Sequence, residues 1–529
     1  MANNSILADL EPKRLFRFFG EILSIPRPSK HEEKMTEYLV NWAKERNLDY
    51  VSDQIGNVII RKGATKGKEN SPWVCLQSHI DMVCEKNSDK DFDFEKDAIV
   101  PKIEGEWLKA DGTTLGADDG IGVATALAIL DANDIEHGPI ECLFTVDEET
   151  GLSGAEALSP DVLKSRILLN LDSEDEGEIF IGCAGGIDTV AKLPFDKEET
   201  PDAPAFKIMV KGLKGGHSGD DINKGLACAN KLLNRILWSL DKEMDLRLAC
   251  FDGGNLRNAI AREAYATFVV AEPDVELMKQ IVDKFTQDLK YEFRTTEPDM
   301  EIILTETEKP AFVVDMLSQD NLFNVLYACP HGVLAMSREI PGFVETSTNL
   351  ASIKMKEDHF FITTSQRSSV ESSKYAAAYR VESCFLLAGA DVEHGDGYPG
   401  WAPNPESKIL KIAVDAYKKL FNKEPIVRAI HAGLECGLIG EKYPGMDMIS
   451  YGPTLRGLHS PDERLEIKTV ELYWKHTLEI LKNTLNKTKK EFTFADIGGL
   501  VGENNGFISY SKSDANIYVE EASCTIGGL

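Results

Sequence analysis

Histidines and acidic residues that could bind metal ions or catalyse hydrolysis follow several apolar stretches of this chain. An apolar run that begins near Trp73 predicts a buried strand, and it leads into Ser78-His79-Ile80-Asp81-Met82-Val83. Side chains alternate along a strand, so His79 and Asp81 point to the same face. Such a pair can bind one metal ion, or one residue can orient the other. The pair alone leaves both interpretations open.

Acidic residues recur at three later points. A glycine-rich stretch presents Asp118 just before an Ala-rich helix over residues 121–131, although Asp118 or Asp119 could instead cap that helix. An alternating strand over 140–146 leads to Glu148 and Glu149, and a strand over 166–171 leads to Asp172. Strands that alternate with helices and end in acids predict an α/β sheet with a site at its carboxyl edge.

Together with a second histidine, these residues supply a complete hydrolytic site for two metal ions. His79 and His459 would each bind one ion beside a terminal carboxylate, and a third carboxylate would bridge ions about 3.5–4 Å apart. Histidine and carboxylate ligands without thiolate suit two Zn²⁺, with Mn²⁺ or Co²⁺ as substitutes. An acid beside the ions that binds neither would activate water. The carboxylate candidates are Asp118, Glu148, Glu149 and Asp172.

Charge and composition exclude several other classes of protein. The net charge of −29 over 529 residues argues against binding a nucleic-acid backbone, which needs clustered basic residues. The ten cysteines are dispersed without a C-x-x-C, which indicates reduced thiols rather than disulfides or a zinc clip. The N-terminus lacks a signal peptide, and no apolar segment is long enough to span a bilayer. These features predict a cytoplasmic protein that does not associate with membranes.

Two local predictions concern turns of the chain. Ser29, with Glu32 three residues later, predicts a capping box for a helix that carries Met35 and Trp42. Glu148 and Glu149 would face opposite ways in an extended strand, so both can serve one site only if the chain turns there. Gly151 allows such a turn.

The pattern of predicted strands and helices changes near residue 188. From there, alternating strands and amphipathic helices predict an inserted α+β domain. The α/β pattern resumes near residue 400 and ends with a predicted helix over 469–485. Ile497-Gly498-Gly499-Leu500 recurs at 526–529, and this tail resembles one short GLUG-type β-repeat, with a disordered tail as the alternative. The predicted segments are 1–187 (catalytic, first part), 188–384 (inserted lid), 385–487 (catalytic, second part) and 488–529 (tail).

Nine motifs in order connect residues 10–487 with a known family. They are S-H-I-D-M-V, T-T-L-G-A-D-D-G-I-G, D-E-E-T-G, L-D-S-E-D-E-G-E-I, G-C-A-G-G-I-D, K-G-L-K-G-G-H-S-G, L-R-N-A-I, H-A-G-L-E-C-G-L and H-S-P-D-E. On these motifs the chain resembles the aminoacyl-histidine dipeptidases (β-alanyl-histidine or cytosol non-specific dipeptidases). That family lies within the two-zinc superfamily that includes aminoacylase and carboxypeptidase G. The resemblance does not extend to the tail.

The resemblance implies a fold, an activity and residue roles. It implies a two-zinc α/β catalytic domain with an inserted α+β lid, and a dipeptidase for small unblocked peptides, including Xaa-His types such as carnosine. A homodimer remains open. It further implies Asp118 as the bridging ligand, Asp81 as the residue that orients His79, Glu148 as general base, and His217 as the group that polarises the scissile carbonyl. The remaining implied roles are zinc ligation by His79, Glu149, Asp172 and His459, and binding of the substrate carboxylate by Asn258 and Arg367.

The chain departs from the family pattern at two positions, and other functions stay open. Asp119 stands where the family has Asn, and Ala261 stands where it has Pro. An N-acyl amino-acid deacylase could use the same metals and base. A phosphoesterase is disfavoured because the regions of His217 and Arg367 lack clustered basic residues. A scaffold protein with an inactive peptidase body is disfavoured by the intact set of candidate ligands.

Overall fold

A computed structural model describes residues 6–485 of the chain. The predicted repeat-like tail, 488–529, lies outside these residues. None of the helices between residues 6 and 485 is long and apolar enough to cross a membrane. The helices are α1 (Lys13–Ile22), α2 (Glu33–Glu45), α3 (Ala117–Asp131), α4 (Glu148–Gly151), α5 (Ser153–Ala157), α6 (Ala229–Glu243), α7 (Val275–Glu292), α8 (Met316–Ala328), α9 (Glu371–Leu387), α10 (Lys408–Phe421), α11 (Glu435–Lys442) and α12 (Ile467–Asn483), with a 3₁₀ turn over Glu272–Asp274.

The strands fall into two large sheets and two small ones. They are β1 (Asp49–Ser52), β2 (Val58–Lys62), β3 (Val74–His79), β4 (Pro101–Glu104), β5 (Trp107–Ala110), β6 (Ile140–Thr145), β7 (Ile167–Asn170), β8 (Glu178–Cys183), β9 (Gly185–Pro194), β10 (Lys197–Glu198), β11 (Ala205–Lys211), β12 (Leu246–Gly253), β13 (Ala264–Val270), β14 (Glu301–Thr307), β15 (Val313–Val314), β16 (Gly332–Met336), β17 (Val344–Met355), β18 (His359–Ser368), β19 (Asp391–His394), β20 (Ile426–Ile430), β21 (Asp447–Ser450), β22 (Leu455–Arg456) and β23 (Arg464–Glu466).

The first large sheet has the order β1-β2-β6-β3-β7-β21-β8-β20. Its centre is parallel, because β3 pairs in parallel with β6 and β7, and β7 pairs in parallel with β21. Every residue of β3 and β6 is buried, which is typical of strands covered by helices on both faces. The carboxyl ends of these parallel strands therefore meet at one edge, where His79 ends β3.

The second large sheet is antiparallel and has the order β14-β11-β13-β12-β17-β18-β9-β19, with β16 added to β17. All of its strands lie between Gly185 and His394, within or close to the stretch predicted as an inserted α+β domain. Its own apolar core includes side chains of α6 and α9, among them Leu233 and Phe385. The predicted boundaries at 188 and 384 stay predictions.

A small four-stranded sheet, β22-β23-β5-β4, joins two distant parts of the chain. In it β23 pairs with β5, so that Arg464 lies opposite Lys109 and Leu465 lies opposite Leu108. This pairing brings the segment that follows His459 next to the loop that leads into α3. The two segments are more than 340 residues apart in sequence, and both carry candidate metal ligands.

The capping box predicted at Ser29 is wrong. Helix α2 begins at Glu33, and its N-terminus is not capped by a side chain. Ser29 Oγ instead donates a hydrogen bond to Asp81 Oδ2 at 2.8 Å, and Glu32 Oε1 accepts one from the amide of Asp147 at 3.0 Å. Both side chains thus support the edge of the first sheet, because Asp81 and Asp147 follow β3 and β6.

Candidate active site

The five candidate metal ligands lie together at the carboxyl edge of the first sheet. His79 Nε2 lies 3.2 Å from Asp118 Oδ1 and 3.4 Å from Asp172 Oδ1. His459 Nε2 lies 3.5 Å from Asp118 Oδ2 and 3.0 Å from Glu149 Oε2. The carboxylate of Asp118 therefore stands between the two histidines, with one oxygen directed at each.

These contacts define two overlapping groups that could each hold a metal ion. One group is His79, Asp118 and Asp172, the other is Asp118, Glu149 and His459, and within each group the donor atoms lie within 4.8 Å of one another. Each group offers one imidazole, one terminal carboxylate and the shared Asp118, which is a donor set suited to a pair of divalent ions. Glu149 Oε1 is buried and has no hydrogen-bond partner among the described residues, as expected of a ligand atom.

The site contains several buried carboxylates, which together require nearby positive charge. Burial, together with the neighbouring carboxylates Asp118 and Glu149, raises the pKa of Asp172 to about 7. Burial, together with Asp172 and Glu149, raises the pKa of Glu148 well above its usual value. So many acids cannot all ionise in a buried site without a counter-charge. Two divalent cations would supply that charge, and the residues present fit them.

Asp81 holds three parts of the site at once. Its Oδ1 lies 3.1 Å from His79 Nδ1, which leaves Nε2 of that ring directed at Asp118. It also accepts hydrogen bonds from the amides of Glu148 and Glu149, at 3.1 and 3.2 Å. Although burial opposes the shift, the His79 ring, the Ser29 hydroxyl and the Glu148 amide lower the pKa of Asp81. A fully buried carboxylate that orients a histidine ring fits a supporting residue better than a metal ligand.

The chain turns at the two glutamates as predicted, but Gly151 is not the residue that allows the turn. The left-handed residues are Asp147, with φ 51°, and Leu152, with φ 56°. Between them α4 forms a single helical turn. The Asp147 carboxylate stabilises this conformation by accepting hydrogen bonds from the hydroxyls of Thr150 and Ser153. Polar side chains that bond locally are the usual non-glycine residues in such a conformation, and this signal was present in the sequence.

Asp119, rather than Asp118, makes the capping contact at the start of α3. Both residues have non-helical φ and ψ, so the regular helix begins after them. Asp119 Oδ1 accepts a hydrogen bond from the amide of Gly122 at 3.2 Å, which is the contact of a capping residue. Asp118 makes its side-chain contacts with the two histidines instead. The extra carboxylate at 119 thus serves the helix, and its Oδ2 is buried without a partner among the described residues.

The candidates on the second sheet form a separate group. His217 Nδ1 accepts hydrogen bonds from the amides of Gly219 and Asp220, both at 3.2 Å. A ring nitrogen that accepts carries no proton, so the proton of the neutral ring is on Nε2. Burial and the charge of Arg367 lower the pKa of His217, which favours that neutral form. His217 can therefore donate one hydrogen bond from Nε2.

Arg367 and Asn258 lie beside the loop of His217. Arg367 Nε donates to Ser218 Oγ at 3.2 Å, and its Nη1 donates to the hydroxyl of Tyr398 at 3.0 Å. The amide of Ser218 donates to the carbonyl oxygen of Asn258 at 2.8 Å. The guanidinium is almost fully buried, whereas the side chain of Asn258 is exposed. Backbone contacts and Ser218 thus join these three candidates.

A cavity of about 750 Å³ connects the first sheet with the loop that follows His217. Its lining includes Asp172, which follows β7, and Gly219 and Asp220, which follow His217. Its apolar lining comes from both large sheets and includes Phe180 on β8 and Val344 on β17. Charged and apolar side chains both line this cavity, and its volume is within the range of small-molecule sites.

Comparisons with known proteins agree with this geometry. Residues 75–483 match Peptidase family M20/M25/M40. The cytosol non-specific dipeptidase of Escherichia coli K12 is 47% identical over 479 residues, which cover 90% of this chain and 99% of that protein. The crystal structure of aminoacylhistidine dipeptidase from Vibrio alginolyticus superimposes with a TM-score of 0.86 at 45% identity, and the match covers 91% of this chain and 98% of that one.

This chain belongs to peptidase family M20/M25/M40. The fold is also similar to that of the aminopeptidase PepT from Bacillus cereus, which superimposes with a TM-score of 0.53 at 18% identity. The predicted fold class and the predicted family are thereby confirmed, and the chain is a peptidase. The roles of individual residues stay predictions.

A buried acid that the sequence pattern did not reveal lies next to the site of this M20 peptidase. Glu435 begins α11, and its Oε2 accepts hydrogen bonds from Gln77 Nε2 at 2.6 Å and Thr145 Oγ1 at 2.8 Å. It thus links β3 and β6 near their carboxyl ends. Burial raises the pKa of Glu435 to about 7. Its place in the motif H-A-G-L-E-C-G-L was the signal. A lone acid in an otherwise apolar segment is seldom buried without a partner.

Proposed function

We propose that this chain is a metal-dependent dipeptidase that hydrolyses unblocked dipeptides, including Xaa-His types such as carnosine. The observation that carries the proposal is Asp118 between His79 and His459, beside one further carboxylate for each histidine. The 47% identity to the E. coli cytosol non-specific dipeptidase, over 99% of that protein, supports the substrate class. The word cytosol in that name supports a cytoplasmic location.

Two Zn²⁺ ions fit the proposed ligands. His79 and Asp172 would hold one ion, His459 and Glu149 would hold the other, and Asp118 would bind both. When bound, the ions would acidify water and polarise the carbonyl of the scissile bond. Mn²⁺ or Co²⁺ could substitute, because the ligands are nitrogen and oxygen atoms only.

Glu148 is the proposed general base. Its donor atoms lie near those of His79 and Glu149, but it belongs to neither of the two groups that share Asp118. A carboxylate that stays free of the ions can take a proton from water and pass it to the leaving amine. The buried surroundings that raise its pKa make this carboxylate a better proton acceptor than an exposed glutamate.

The second group supplies the proposed contacts to the substrate. His217, with its proton on Nε2, would donate a hydrogen bond to the carbonyl oxygen as negative charge develops there. Arg367 and Asn258 would bind the free carboxylate of the dipeptide. A fixed guanidinium is suited to a carboxylate because it offers two parallel donors. This arrangement would restrict cleavage to peptides whose carboxylate lies one residue beyond the scissile bond.

A substrate panel tests the proposal. The purified protein with added Zn²⁺ should hydrolyse carnosine and other dipeptides, and a chelator should abolish this activity. Tripeptides, dipeptide amides and N-acetyl amino acids serve as controls, since each one lacks a proposed contact or adds a block. Cleavage of N-acetyl amino acids at rates equal to those of dipeptides would contradict the proposal and favour a deacylase.

A further inference from the structure

One buried carboxylate binds the whole loop that presents Asp118. Glu463 Oε2 accepts hydrogen bonds from the amides of Leu115 and Gly116, at 2.7 and 2.9 Å. Its Oε1 accepts hydrogen bonds from the amides of Ala117 and Asp118, at 2.8 and 3.3 Å. Four consecutive amides thus bind a single side chain that is 2% exposed.

The opposite side of the same loop is held by a buried cation. Arg27 is 1% exposed, and its guanidinium donates to the carbonyl oxygen of Gly116. It also donates to the carbonyl oxygens of Ile80 and Asp81, at 3.0 and 2.7 Å. Gly116 is therefore bound through its amide by Glu463 and through its carbonyl by Arg27. The Asp118 loop is fixed to the end of β3 as well as to Glu463.

These amides need a partner for a physical reason. They precede the first regular turn of α3, so they have no carbonyl partners within the helix. A series of such amides carries partial positive charge and binds anions well. Buried amides that lacked a partner would destabilise the fold, so the carboxylate favours this loop conformation.

Glu463 belongs to the segment of the chain that also carries His459. Glu463 lies four residues after His459 and directly before β23, which pairs with β5. Its carboxylate therefore connects the segment of His459 with the loop of Asp118, whose side chain contacts His459 Nε2 at 3.5 Å.

We propose that Glu463 is a positioning residue that sets the distance between Asp118 and His459, so that the ligands are already arranged when the metal ions bind. The inference rests on the proposed roles of Asp118 and His459 as ligands. Preorganisation of this kind increases affinity, because the cost of ordering the ligands is not paid at binding. Removal of a residue that orients metal ligands typically weakens metal binding about 10–100-fold.

Glu463→Gln tests the proposal with little change in size. The amide group of Gln can accept hydrogen bonds on its oxygen side only, so two of the four backbone amides lose their acceptor. We expect Zn²⁺ affinity, measured by competition with a chromogenic chelator, to fall about 10–100-fold. The readout is metal binding rather than hydrolysis. Failure of the proposed dipeptidase activity would therefore leave this test intact.

Glu141→Gln is the matched control. Glu141 is also fully buried, and its Oε1 accepts hydrogen bonds from the amides of Lys164 and Ser165 at 2.8 and 2.7 Å. It lies near the start of β6, at the end of the first sheet away from the ligands. This variant should lower the melting temperature but leave Zn²⁺ affinity unchanged. Equal loss of affinity in both variants, or wild-type affinity in Glu463→Gln, would overturn the proposal.

Hydrogen exchange on the wild-type protein covers the case in which Glu463→Gln does not fold. If Glu463 arranges the loop in advance, the amides of residues 115–118 should exchange slowly in protein stripped of metal. Added Zn²⁺ should then change their protection little. Rapid exchange in the metal-free protein, with protection only after Zn²⁺ is added, would show that the metal arranges the loop and would overturn the proposal.

Discussion

The metal-ligand cluster around Asp118 and the group of His217 and Arg367, carried by the second sheet and its loops, are built in different ways. In the cluster around Asp118, side chains from several strand ends contact one another directly. On the second sheet, His217 and Arg367 are connected through Ser218 and backbone atoms, and no described metal-binding group includes them. Changes in the cluster should therefore alter metal content or proton transfer. Changes on the second sheet should alter kinetics at unchanged metal content.

The largest effect is expected at the two adjacent glutamates, where the comparison is sharpest. Glu148→Gln keeps the shape of the side chain but removes the base, so kcat should fall about 10²–10⁴-fold while two metal ions remain bound. Glu149→Gln should instead lose affinity for one ion, with activity partly restored at high Zn²⁺. Metal counts after dialysis and steady-state kinetics on both variants check this. Loss of metal from Glu148→Gln with two ions retained in Glu149→Gln would reverse the assignment.

His217→Ala should produce the next largest effect, now from the second sheet. Loss of a donor to the developing negative charge should lower kcat about 10²–10³-fold and leave metal content unchanged. His359→Ala is the control, because His359 begins β18 at the end of that strand remote from Arg367. Steady-state kinetics with a dipeptide and metal analysis provide the measurement. Wild-type turnover in His217→Ala would remove this residue from the mechanism.

The same difference in construction decides how much could be predicted from sequence. His79, Asp118, Glu149 and Asp172 each follow or end a strand or precede a helix, and elements of one parallel sheet bring such ends together. The fold class and the α/β character of the site therefore follow from local pattern. The family resemblance supplied the remaining roles.

The contacts that sequence analysis missed depend on distant partners. Glu463 binds amides more than 340 residues earlier in the chain, and Ser29 bonds to Asp81 rather than to its own helix. The local pattern predicts a helix cap at Ser29, because the sequence near that turn does not show that Asp81 packs against it. Such side chains can be recognised as buried polar residues only when the tertiary fold is known.

Arg367→Ala should affect binding more than chemistry. Loss of a charged hydrogen bond of about 1.5–3 kcal/mol should raise KM for dipeptides about 10–100-fold, with a smaller change in kcat. Dipeptide amides serve as the control substrate, because they lack the carboxylate that Arg367 would bind. They should be hydrolysed equally slowly by the variant and the wild type. An equal loss with both substrates would assign Arg367 a structural role only.

The smallest effect concerns His431, which follows β20 of the first sheet and contacts the second sheet. Its ring is 5% exposed, and Nε2 lies 2.7 Å from Ser347 Oγ on β17 of the second sheet. Burial, then the positive charge of Arg367 and the neighbouring His217, lower the pKa of His431 to about 3. In the unfolded chain the pKa is about 6.5, so below that pH the unfolded state binds the proton and the folded state does not. The stability associated with the neutral ring is thus complete above pH 6.5 and declines as the pH falls toward 3.

Between pH 7.5 and 5.5 this single group should lower the free energy of unfolding by about 1.4 kcal/mol. His431→Gln can still bond to Ser347 but does not titrate, so its stability should fall less than that of the wild type over this range. Ser347→Ala is the matched control, since it removes the hydrogen bond and keeps the ring. The free energy of unfolding of Ser347→Ala should be lower than that of the wild type by about 1 kcal/mol at both pH values. Denaturant unfolding of the three proteins at both pH values is the measurement. If His431→Gln loses as much stability on acidification as the wild type, the contact between the two sheets does not depend on a neutral His431.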